Sequence, residues 1–312
     1  MELAIIILNW NAASDTIRCV RRIAAWERLN PAVWVVDNAS TDGSTEIIAR
    51  ECPDVHLIRN STNLGFAAGN NRGIIQALAV GDAPLLLLNN DAVLEETDAI
   101  RLLESLQSDQ RIGFIGPLLF DAEHKEHLLA AGGGSPVKHH HSHFHKFSAA
   151  HPLFPVTYVP GTVIIGRAEV FRTVGLLDDD YFFSAEVADL CIRAGQQGFL
   201  SVIDSRARAY HTLGRSSNLR DTLYTYYIIR NRFLLMRKHH PWNIPLFGFW
   251  TLYSLALTLK LRLDRKSHTS RAVRLGLLDG LWGRFGGQNE RVLAMVNQRQ
   301  LAIGGGYQEA KS

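Results

Sequence analysis

Short apolar runs alternate with stretches of helical periodicity through the N-terminal part of the chain. Four apolar runs predict buried strands, at residues 3–8, 33–37, 55–60 and 84–91. The stretches between them predict helices, at residues 14–29, 44–51 and 70–79. Strand–helix alternation with almost continuously apolar strands is typical of a parallel sheet that helices cover on both faces. We therefore predict an α/β fold for this part of the chain.

The regular pattern lapses between residues 120 and 155, where the sequence is rich in glycine and histidine. We predict a long surface loop there, and its crowded histidines lack the separated spacing of a zinc enzyme. These histidines are His139, His140, His141, His143, His145 and His151. Further along, the pattern predicts a strand and a helix after residue 157, a helix beginning near residue 184 and a strand over 200–211. Because the pattern beyond residue 215 is mainly helical, we predict an α/β domain at 1–215 and a helical region at 216–312.

Residues 244–259 form an apolar stretch of 16 residues without a charge. Cations flank this stretch on both sides: Arg237, Lys238, Lys260, Arg262, Arg265 and Lys266. A transmembrane helix needs about 20 apolar residues, so the shorter stretch predicts an in-plane or re-entrant membrane helix. The alternative is a buried helix that packs on the α/β domain.

Charge is unevenly distributed along the 312 residues. Residues 206–312 contain 18 Lys and Arg against 5 Asp and Glu, whereas residues 1–205 contain 15 against 25. A basic C-terminal third predicts an anionic partner, and membrane surface, phosphorylated lipid and nucleic acid are the classes to consider. Three cysteines without CxxC spacing indicate a reducing compartment. No signal-peptide pattern precedes the first strand, so we expect a cytoplasmic location.

Polar residues follow each of the four predicted strands. They are Asn9, Trp10 and Asn11 after the first, Asp37, Asn38, Ser40, Thr41 and Asp42 after the second, Asn63, Gly65, Gly69, Asn70 and Asn71 after the third, and Asn89, Asn90 and Asp91 after the fourth. Ligands of open α/β sheets bind beyond the carboxyl ends of the strands. Ordinary turn residues would also occur at any one of these places, but the convergence of four clusters favours a ligand site.

The chemistry of these clusters suits a nucleoside diphosphate. Amide and carboxylate side chains can bind a pyrimidine edge and ribose hydroxyls, and glycines permit close backbone approach. Asp91 ends a buried strand after four leucines, so its charge needs a partner. A divalent cation that bridges two phosphates is the natural candidate, because Mg²⁺ and Mn²⁺ prefer carboxylate and phosphate oxygens.

An ordered set of segments carries a family resemblance: ILNWN, VVDNASTDGS, NLGFAAGNN, LLLNND, GLLDDDYFF, EVADLC and AYH. Over residues 3 to about 215 the chain resembles family 2 glycosyltransferases, in particular their bacterial rhamnosyltransferase-like branch. The resemblance implies a Rossmann-like nucleotide-sugar-binding fold of the GT-A type, followed by a C-terminal α-helical region. It also implies an inverting enzyme that moves a sugar, rhamnose being one candidate, from a dTDP- or UDP-sugar to a polysaccharide or lipid-linked acceptor.

The resemblance also assigns roles to individual residues. It implies a donor site at Asp37 and Asn38 and a divalent metal, Mg²⁺ or Mn²⁺, at Asp91. His211 matches a histidine that completes the metal site in some relatives, and the alternative is a structural histidine at a strand end. From the polar clusters we add further donor-binding candidates: Asn9, Asn11, Asn63, Gly65, Asn70 and Asn89.

One departure concerns the catalytic base. Many relatives have adjacent Glu and Asp, with the Asp as base, whereas this chain has Val187 at the Asp position. Glu186 and Asp189 are the remaining carboxylates, and on a helix they lie on nearly the same face. We predict that Glu186 is the base and that Asp189 supports it. The alternative for both is a structural carboxylate at the start of a helix, and Asp189 has the further alternative of holding Arg193.

Two other functions stay open at this point. One is a sugar nucleotidyltransferase, which would share the fold type and the metal. The other is a catalytically inactive nucleotide-sugar-binding subunit, which Val187 favours. No GxGxxG or GxxxxGK[ST] motif occurs in the sequence, so hydride transfer and P-loop chemistry lack their phosphate loops. We expect a peripheral location at the inner face of the cell membrane and no nucleic-acid partner.

Overall fold

The computed structural model describes residues 2–138, 142–147, 151–212 and 220–295. The chain forms two compact units. The first contains Met1–Phe182 and Glu186–Leu213, and the second contains Phe183–Ala185 and Gly214–Ser312. The assignment of catalysis to residues 1–215 and of membrane association to 216–312 stays a prediction.

The first unit is an α/β structure, as predicted. Its strands are β1 (Ala4–Asn9), β2 (Ala32–Asp37), β3 (His56–Arg59), β4 (Leu85–Leu88), β5 (Ala92–Leu94), β6 (Ile112–Asp121), β7 (Leu128–Ala130), β8 (Leu153–Val156), β9 (Val163–Gly166) and β10 (Leu200–His211). Its helices are α1 (Ala13–Ala24), α2 (Ser44–Glu51), α3 (Gly65–Val80), α4 (Glu96–Ser108), α5 (Ala168–Val174) and α6 (Glu186–Gln196), with a short 3₁₀ turn at Asp179–Tyr181.

These strands form one mixed sheet in the order β3-β2-β1-β4-β9-β6-β10-β5. Strand β1 pairs in parallel with β2 and with β4, and β2 pairs in parallel with β3. Strand β6 pairs in parallel with β10. Strand β9 lies antiparallel between β4 and β6, and β5 pairs antiparallel with β10. The predicted parallel sheet is confirmed for the four strands on which the prediction was based, and the later strands make the whole sheet mixed.

The strands are apolar on both faces because helices cover both faces. Ile5 and Ile7 belong to a core that includes residues of α1, α2 and α4. Ile6, between them, belongs to a second core that includes residues of α3, α5 and α6. Successive side chains of a strand point to opposite faces. The continuous apolar run of β1 therefore contributes side chains to both cores, and the polar residues that follow it lie at the carboxyl end of the strand.

Several helices and strands of the structure were not predicted from the sequence. Residues 120–155 do not form one long loop, since β6 extends to Asp121 and β7 and β8 lie within the interval. Helix α3 begins at Gly65 instead of residue 70, and α4 was not predicted. Of the crowded histidines, His139, His140 and His141 lie outside the described residues. Short strands such as β7 depend on pairing with β6, which local sequence does not encode.

The second unit is helical. It contains a short π-helical turn at Arg220–Tyr224, α7 (Thr225–His239), α8 (Ile244–Leu263) and α9 (Ser267–Trp282), and residues 289–295 are also helical. Helix α8 begins at an Asn243 side chain that accepts a hydrogen bond from Leu246 N, with proline in its first turn. Trp250 anchors α8 to α7 through the Arg232 guanidinium, which lies 3.7 Å from the indole centroid.

Helix α8 is the feature of this unit that bears on location. Within the described part of the chain, it is the one helix whose length and composition would allow it to cross a membrane, and 11% of its most apolar window is buried. Its large exposed apolar side chains are Ile244, Phe249, Leu252, Leu255, Leu259 and Leu263. These spacings follow a helical period, so they form a stripe along α8, which we call the α8 apolar stripe.

Candidate active site

Asp37 is the centre of a polar network at the carboxyl end of β2. Its Oδ1 accepts hydrogen bonds from Asn9 Nδ2 at 2.7 Å and Ser40 Oγ at 2.6 Å, and its Oδ2 accepts one from Thr45 Oγ1 at 2.8 Å. Burial works to raise the pKa of Asp37, but the hydrogen bonds from Ser40, Thr45 and Asn9 outweigh burial and lower the pKa. Asp37 is therefore an ionised carboxylate that fixes the ends of two adjacent strands.

Asn38 joins β2 to the loop that precedes α3. Its Nδ2 donates to Asn63 Oδ1 and to Gly65 O, both at 3.0 Å. Its Oδ1 accepts from Leu64 N at 3.0 Å and from Asn60 Nδ2 at 3.1 Å. The side-chain amide uses both its donor and its acceptor in these bonds, so Asn38 shapes the loop that the sequence predicted as part of the donor site.

Gly65 allows that loop to approach the segment before α6. It has a φ of +79°, and a Cβ there would lie 2.3 Å from Phe182 O. The same carbonyl accepts a hydrogen bond of 2.6 Å from Phe66 N. Asn71 adds a second tie, because its Nδ2 donates to Leu177 O at 2.8 Å. The start of α3 therefore holds the segment that leads to Glu186.

Asp91 and His211 meet at the same edge of the sheet although 120 residues separate them. The cause is the antiparallel pairing of β5 with β10, which places Ala92 opposite His211. His211 Nε2 lies 3.1 Å from Asp91 Oδ1, and both side chains keep some exposure, at 18% and 23% respectively. A carboxylate and an imidazole are thus paired in a partly open position.

This pair fits a divalent metal that completes its coordination with a ligand. The described residues contain no group of three or more His, Cys, Asp or Glu that could hold a metal by itself. Two protein ligands suffice for a cation that also binds substrate phosphates and water. One imidazole beside one carboxylate suits Mn²⁺ better than Mg²⁺, which favours oxygen ligands.

Glu186 is the first residue of α6 and is buried, yet one of its carboxylate oxygens has no partner. Among the described residues, Oε2 is a buried polar side-chain atom without a hydrogen bond. Burial raises the pKa of Glu186 to about 7, a bond from its own backbone N–H opposes this rise, and the charge of Asp189 adds to it. A carboxylate with a pKa near neutrality is well matched to proton abstraction.

Asp189 has a different environment one turn later. Its Oδ2 accepts from Arg193 Nε at 2.8 Å, and its Oδ1 accepts from Tyr181 Oη at 3.2 Å. Arg193 also donates to the carbonyls of Val174 and Leu176. The structure therefore places Asp189 in the ion pair with Arg193 that was weighed as an alternative, and this carboxylate holds α6 to the chain before it.

Val187, at the position of the family's usual base, belongs to the core. It is buried, and a Cβ on Gly161 would lie 2.8 Å from its Cγ2 atom. A carboxylate in this packed position would lose its hydration, which costs free energy unless hydrogen bonds replace the water. The packing therefore suits an apolar residue at the position where the resemblance implied the base.

The other predicted donor-binding residues form local hydrogen bonds. Asn11 Oδ1 accepts from Thr41 N at 2.8 Å, and Asn70 Nδ2 donates to Phe66 O at 2.8 Å. Asn89 N donates to Thr162 O at 3.0 Å. Thr16 was missed, although its Oγ1 donates to Asn9 Oδ1 at 2.7 Å and accepts from Asn90 Nδ2 at 3.0 Å. A threonine on a helix gives no sequence signal for such a role.

Known proteins share both the sequence pattern and the fold. The sequence model of glycosyl transferase family 2 matches residues 4–175, which is more than half of the chain. An N-acetylglucosaminyl-diphospho-decaprenol L-rhamnosyltransferase of Mycobacterium tuberculosis is 27% identical over 274 residues, covering 80% of this chain and 89% of the relative. The dTDP-rhamnosyl transferase RfbF of Shigella flexneri is 24% identical over 309 residues, covering 90% and 96%.

A solved structure agrees at the level of the fold. A mannosyltransferase from Pyrobaculum calidifontis, in complex with GDP-Man and Mn²⁺, has a TM-score of 0.55 and 14% sequence identity. The match covers 90% of this chain and 87% of the mannosyltransferase. The α/β sheet, the site at its carboxyl edge and the match over residues 4–175 lead to one conclusion: the chain belongs to glycosyl transferase family 2.

Proposed function

We propose that this family 2 glycosyltransferase is a metal-dependent, inverting enzyme that transfers a sugar from a nucleotide-sugar donor to a lipid-linked or polysaccharide acceptor. The observation that carries the proposal is the contact of 3.1 Å between Asp91 Oδ1 and His211 Nε2. It provides a carboxylate and an imidazole where the strand ends converge. Rhamnose is our first candidate sugar, because two relatives are rhamnosyltransferases by name.

The donor would lie along the edge that Asn9, Asp37 and Asn38 organise. Their hydrogen bonds fix the loops after β1, β2 and β3 before any ligand binds. Prior ordering of this kind lowers the entropy cost of binding. Asp91 and His211 would hold Mn²⁺ or Mg²⁺, which when bound neutralises charge on the departing nucleoside diphosphate.

Glu186 would act on the acceptor. Its carboxylate takes the proton of the acceptor hydroxyl while the hydroxyl oxygen forms a bond to the anomeric carbon. The bond between that carbon and the diphosphate oxygen breaks, and the nucleoside diphosphate leaves with the electron pair. Attack from the face opposite the leaving group inverts the configuration. The buried Oε2 without a partner supports this role, because a ligand group can take the vacant acceptor position.

We further propose that the protein acts on the inner face of the cell membrane, held there by its second unit. Exposure of the α8 apolar stripe supports this location, as do the cations at both ends of α8. An acceptor with a lipid anchor, such as the one named for the mycobacterial relative, would be presented at that surface. Membrane recruitment also fits the concentration of positive charge after residue 206.

The metal assignment is tested by Asp91→Asn in the purified full-length chain. We expect turnover of dTDP-rhamnose or UDP-sugars to lose its response to Mn²⁺, because the amide is a much weaker ligand than the carboxylate. Asp54→Asn is the matched control, because Asp54 is an exposed carboxylate in the turn before β3, away from the carboxyl ends of the strands. Equal metal response in Asp91→Asn and the control would overturn the metal site.

Donor hydrolysis and transfer assays separate the proposal from its alternatives. A nucleotidyltransferase would release pyrophosphate from a nucleoside triphosphate and a sugar phosphate. An inactive binding subunit would gain thermal stability with a nucleotide sugar and Mn²⁺ but would show neither hydrolysis nor transfer. Release of nucleoside diphosphate from a nucleotide sugar, dependent on Mn²⁺, is the result that supports a transferase.

A further inference from the structure

A cavity of about 260 Å³ lies between the last two turns of α8 and the first two turns of α9. Its lining is polar and basic: Thr258, Arg262, Ser267, Ser270, Arg271 and Arg274. We call it the α8–α9 pocket. The catalytic argument uses none of these residues, and all of them belong to the second unit.

The pocket concentrates positive charge without an acidic residue in its lining. Arg262 and Arg274 are exposed, and neither forms an ion pair with any residue in the described part of the chain. The guanidinium groups of Arg262 and Arg274 at one small cavity repel each other unless an anion lies between them. Guanidinium groups match the geometry of phosphate oxygens, because each can donate two parallel hydrogen bonds.

Two further features of the pocket favour an anion. Ser267 is the first residue of α9, and a helix of 16 residues directs its first N–H groups and its positive dipole end toward this region. The wall between the two helices is fixed by a hydrogen bond of 2.8 Å from the buried Ser270 hydroxyl to Thr258 O. The arginines therefore line a cavity whose wall is held by this bond. A flat basic surface would not have such a wall.

The position of the pocket along α8 indicates the source of the anion. Arg262 and Thr258 lie on the same helix as the α8 apolar stripe, at the end where Leu259 and Leu263 are exposed. If the stripe enters the apolar part of a membrane, the pocket lies at the depth of the lipid phosphates. Its volume is below the usual range of about 300–1,000 Å³ for whole small-molecule ligands, which fits a head group better than a nucleotide sugar.

We propose that the α8–α9 pocket binds the phosphate or diphosphate group of a membrane lipid. The proposal rests on the proposed membrane association of α8, and it adds a specific site to an otherwise general electrostatic attraction. Such a site would distinguish lipids that expose a terminal phosphate from lipids that are merely anionic. A terminal phosphate carries a charge of about −1.5 to −2 at neutral pH and offers three acceptor oxygens to the arginines.

The test compares two triple variants of the full-length chain. Arg262→Gln, Arg271→Gln and Arg274→Gln together remove the charges of the pocket. Lys260→Gln, Arg265→Gln and Lys266→Gln remove the same number of charges at the same end of α8, outside the pocket lining. Binding is measured by sedimentation with phosphatidylcholine vesicles that contain either phosphatidic acid or phosphatidylglycerol, at matched surface potential.

We expect the wild type to bind phosphatidic acid vesicles about tenfold more tightly than phosphatidylglycerol vesicles, the effect of one or two charge-assisted hydrogen bonds. The control variant should bind both vesicles more weakly and keep this preference. The pocket variant should lose the preference. A pocket variant that kept the wild-type ratio would overturn the proposal, even if all proteins still bound membranes through α8.

A second measurement distinguishes the lipid from a soluble anion and does not need membranes. In buffer free of divalent metal, where the proposed donor site lacks its cation, inorganic pyrophosphate should raise the melting temperature of the wild type and of the control variant, and should not raise that of the pocket variant. Stabilisation by pyrophosphate without a preference for phosphatidic acid would assign the pocket to a soluble phosphate and overturn the lipid assignment. Arg274→Gln alone, at an exposed position, repeats both measurements if the triple variant does not fold.

Discussion

Two carboxylates one helical turn apart have opposite environments in this protein. Asp189 is held by Arg193 and Tyr181, whereas Glu186 Oε2 lacks a partner among the described residues. The sequence placed both on one face of a helix and predicted Glu186 as the base with Asp189 in support. Residue-scale geometry separates them, because a paired carboxylate is a weaker proton acceptor than an unpaired one whose pKa burial has raised.

Glu186→Gln should lower kcat by about 10²- to 10⁴-fold and leave donor affinity nearly unchanged, because it removes a general base and preserves shape. In the wild type, kcat/KM should fall below pH 7, since burial raises the pKa of Glu186 to about 7 and the protonated form cannot accept a proton. Steady-state kinetics between pH 5 and pH 9 provides both measurements.

Asp189→Asn is the comparison variant for this assignment. It should lower the melting temperature by weakening the bond to Arg193, and the pH profile of the residual activity should move to lower pH, because the charge of Asp189 contributes to the raised pKa of Glu186. If Asp189→Asn abolished turnover with the fold intact while Glu186→Gln stayed active, the two roles would have to be exchanged.

The same residue should make stability depend on pH. Glu186 has a pKa of about 7 when folded against an ordinary value of 4.5, so the folded state holds the proton more tightly than the unfolded state. Its contribution is fully favourable below pH 4.5 and is lost as pH rises through 7. Glu186→Gln should therefore be about 2–3 kcal/mol more stable than the wild type at pH 8, with little difference at pH 4.5. Denaturant unfolding at the two pH values measures this, and an equal difference at both would contradict the burial argument.

Gly65 offers a second test at the residue scale. Gly65→Ala combines a φ of +79° with a Cβ located 2.3 Å from Phe182 O, whereas Gly43 has a φ of +80° and open space around a Cβ. Both changes cost backbone strain, and Gly65→Ala should cost about 1–3 kcal/mol more because Phe182 must move. Donor binding should weaken in Gly65→Ala alone. Equal unfolding midpoints for the two variants would show that the approach of the two loops is not tight.

At the scale of elements, α8 differs from the other long helices. Helix α3 has eight buried residues, and α8 has two, Trp250 and Ser254. A long apolar helix with so little burial needs another apolar environment to cover it. The sequence indicated this helix through its missing charges, and the structure adds that the stripe faces away from α7 and α9.

Replacing Leu252, Leu255 and Leu259 by serine should strongly reduce flotation with vesicles that contain phosphatidylglycerol, because each buried leucine contributes about 1.5–3 kcal/mol on transfer from water. Ile75→Ser with Val80→Ser is the control, since both are exposed apolar residues on α3. Unchanged flotation of the leucine variant would show that the stripe does not enter the membrane.

At the scale of the whole molecule, the excess of positive charge and the exposed apolar stripe lie in the same part of the sequence. Residues 206–312 hold 18 of the 33 Lys and Arg and also the α8 apolar stripe. Cations near an anionic surface contribute about 1 kcal/mol each, and this attraction decays within a Debye length. Electrostatics would therefore bring the protein to the membrane, and the stripe would hold it there.

Binding to anionic vesicles should consequently weaken as salt rises from about 0.1 M to about 1 M, where the Debye length shortens from about 10 Å to about 3 Å. Binding to neutral phosphatidylcholine vesicles should be weaker and should change little over the same range. Co-sedimentation across a salt series makes the measurement. Binding that is insensitive to salt on anionic vesicles would exclude the basic region as a source of membrane affinity.

The sequence by itself determined the α/β class, the first four strands and the polar clusters that follow them. It could do so because a strand buried on both faces requires a continuous apolar run, and the residue that ends such a run lies at the sheet edge. The ordered motifs determined the family. Local sequence could not determine the mixed second half of the sheet, since the antiparallel insertion of β9 depends on strand pairing between distant segments.

Tertiary structure supplied the contacts between the candidate residues. It brought Asp91 to His211 across 120 residues, because β5 pairs with β10. It placed Val187 against Gly161 in the core, paired Asp189 with Arg193 in a salt bridge and left Glu186 buried with a raised pKa. Partners, burial and distance are properties of the folded chain, and the chemistry of a carboxylate depends on all three. The sequence therefore supplied the candidates, and packing assigned each one its environment.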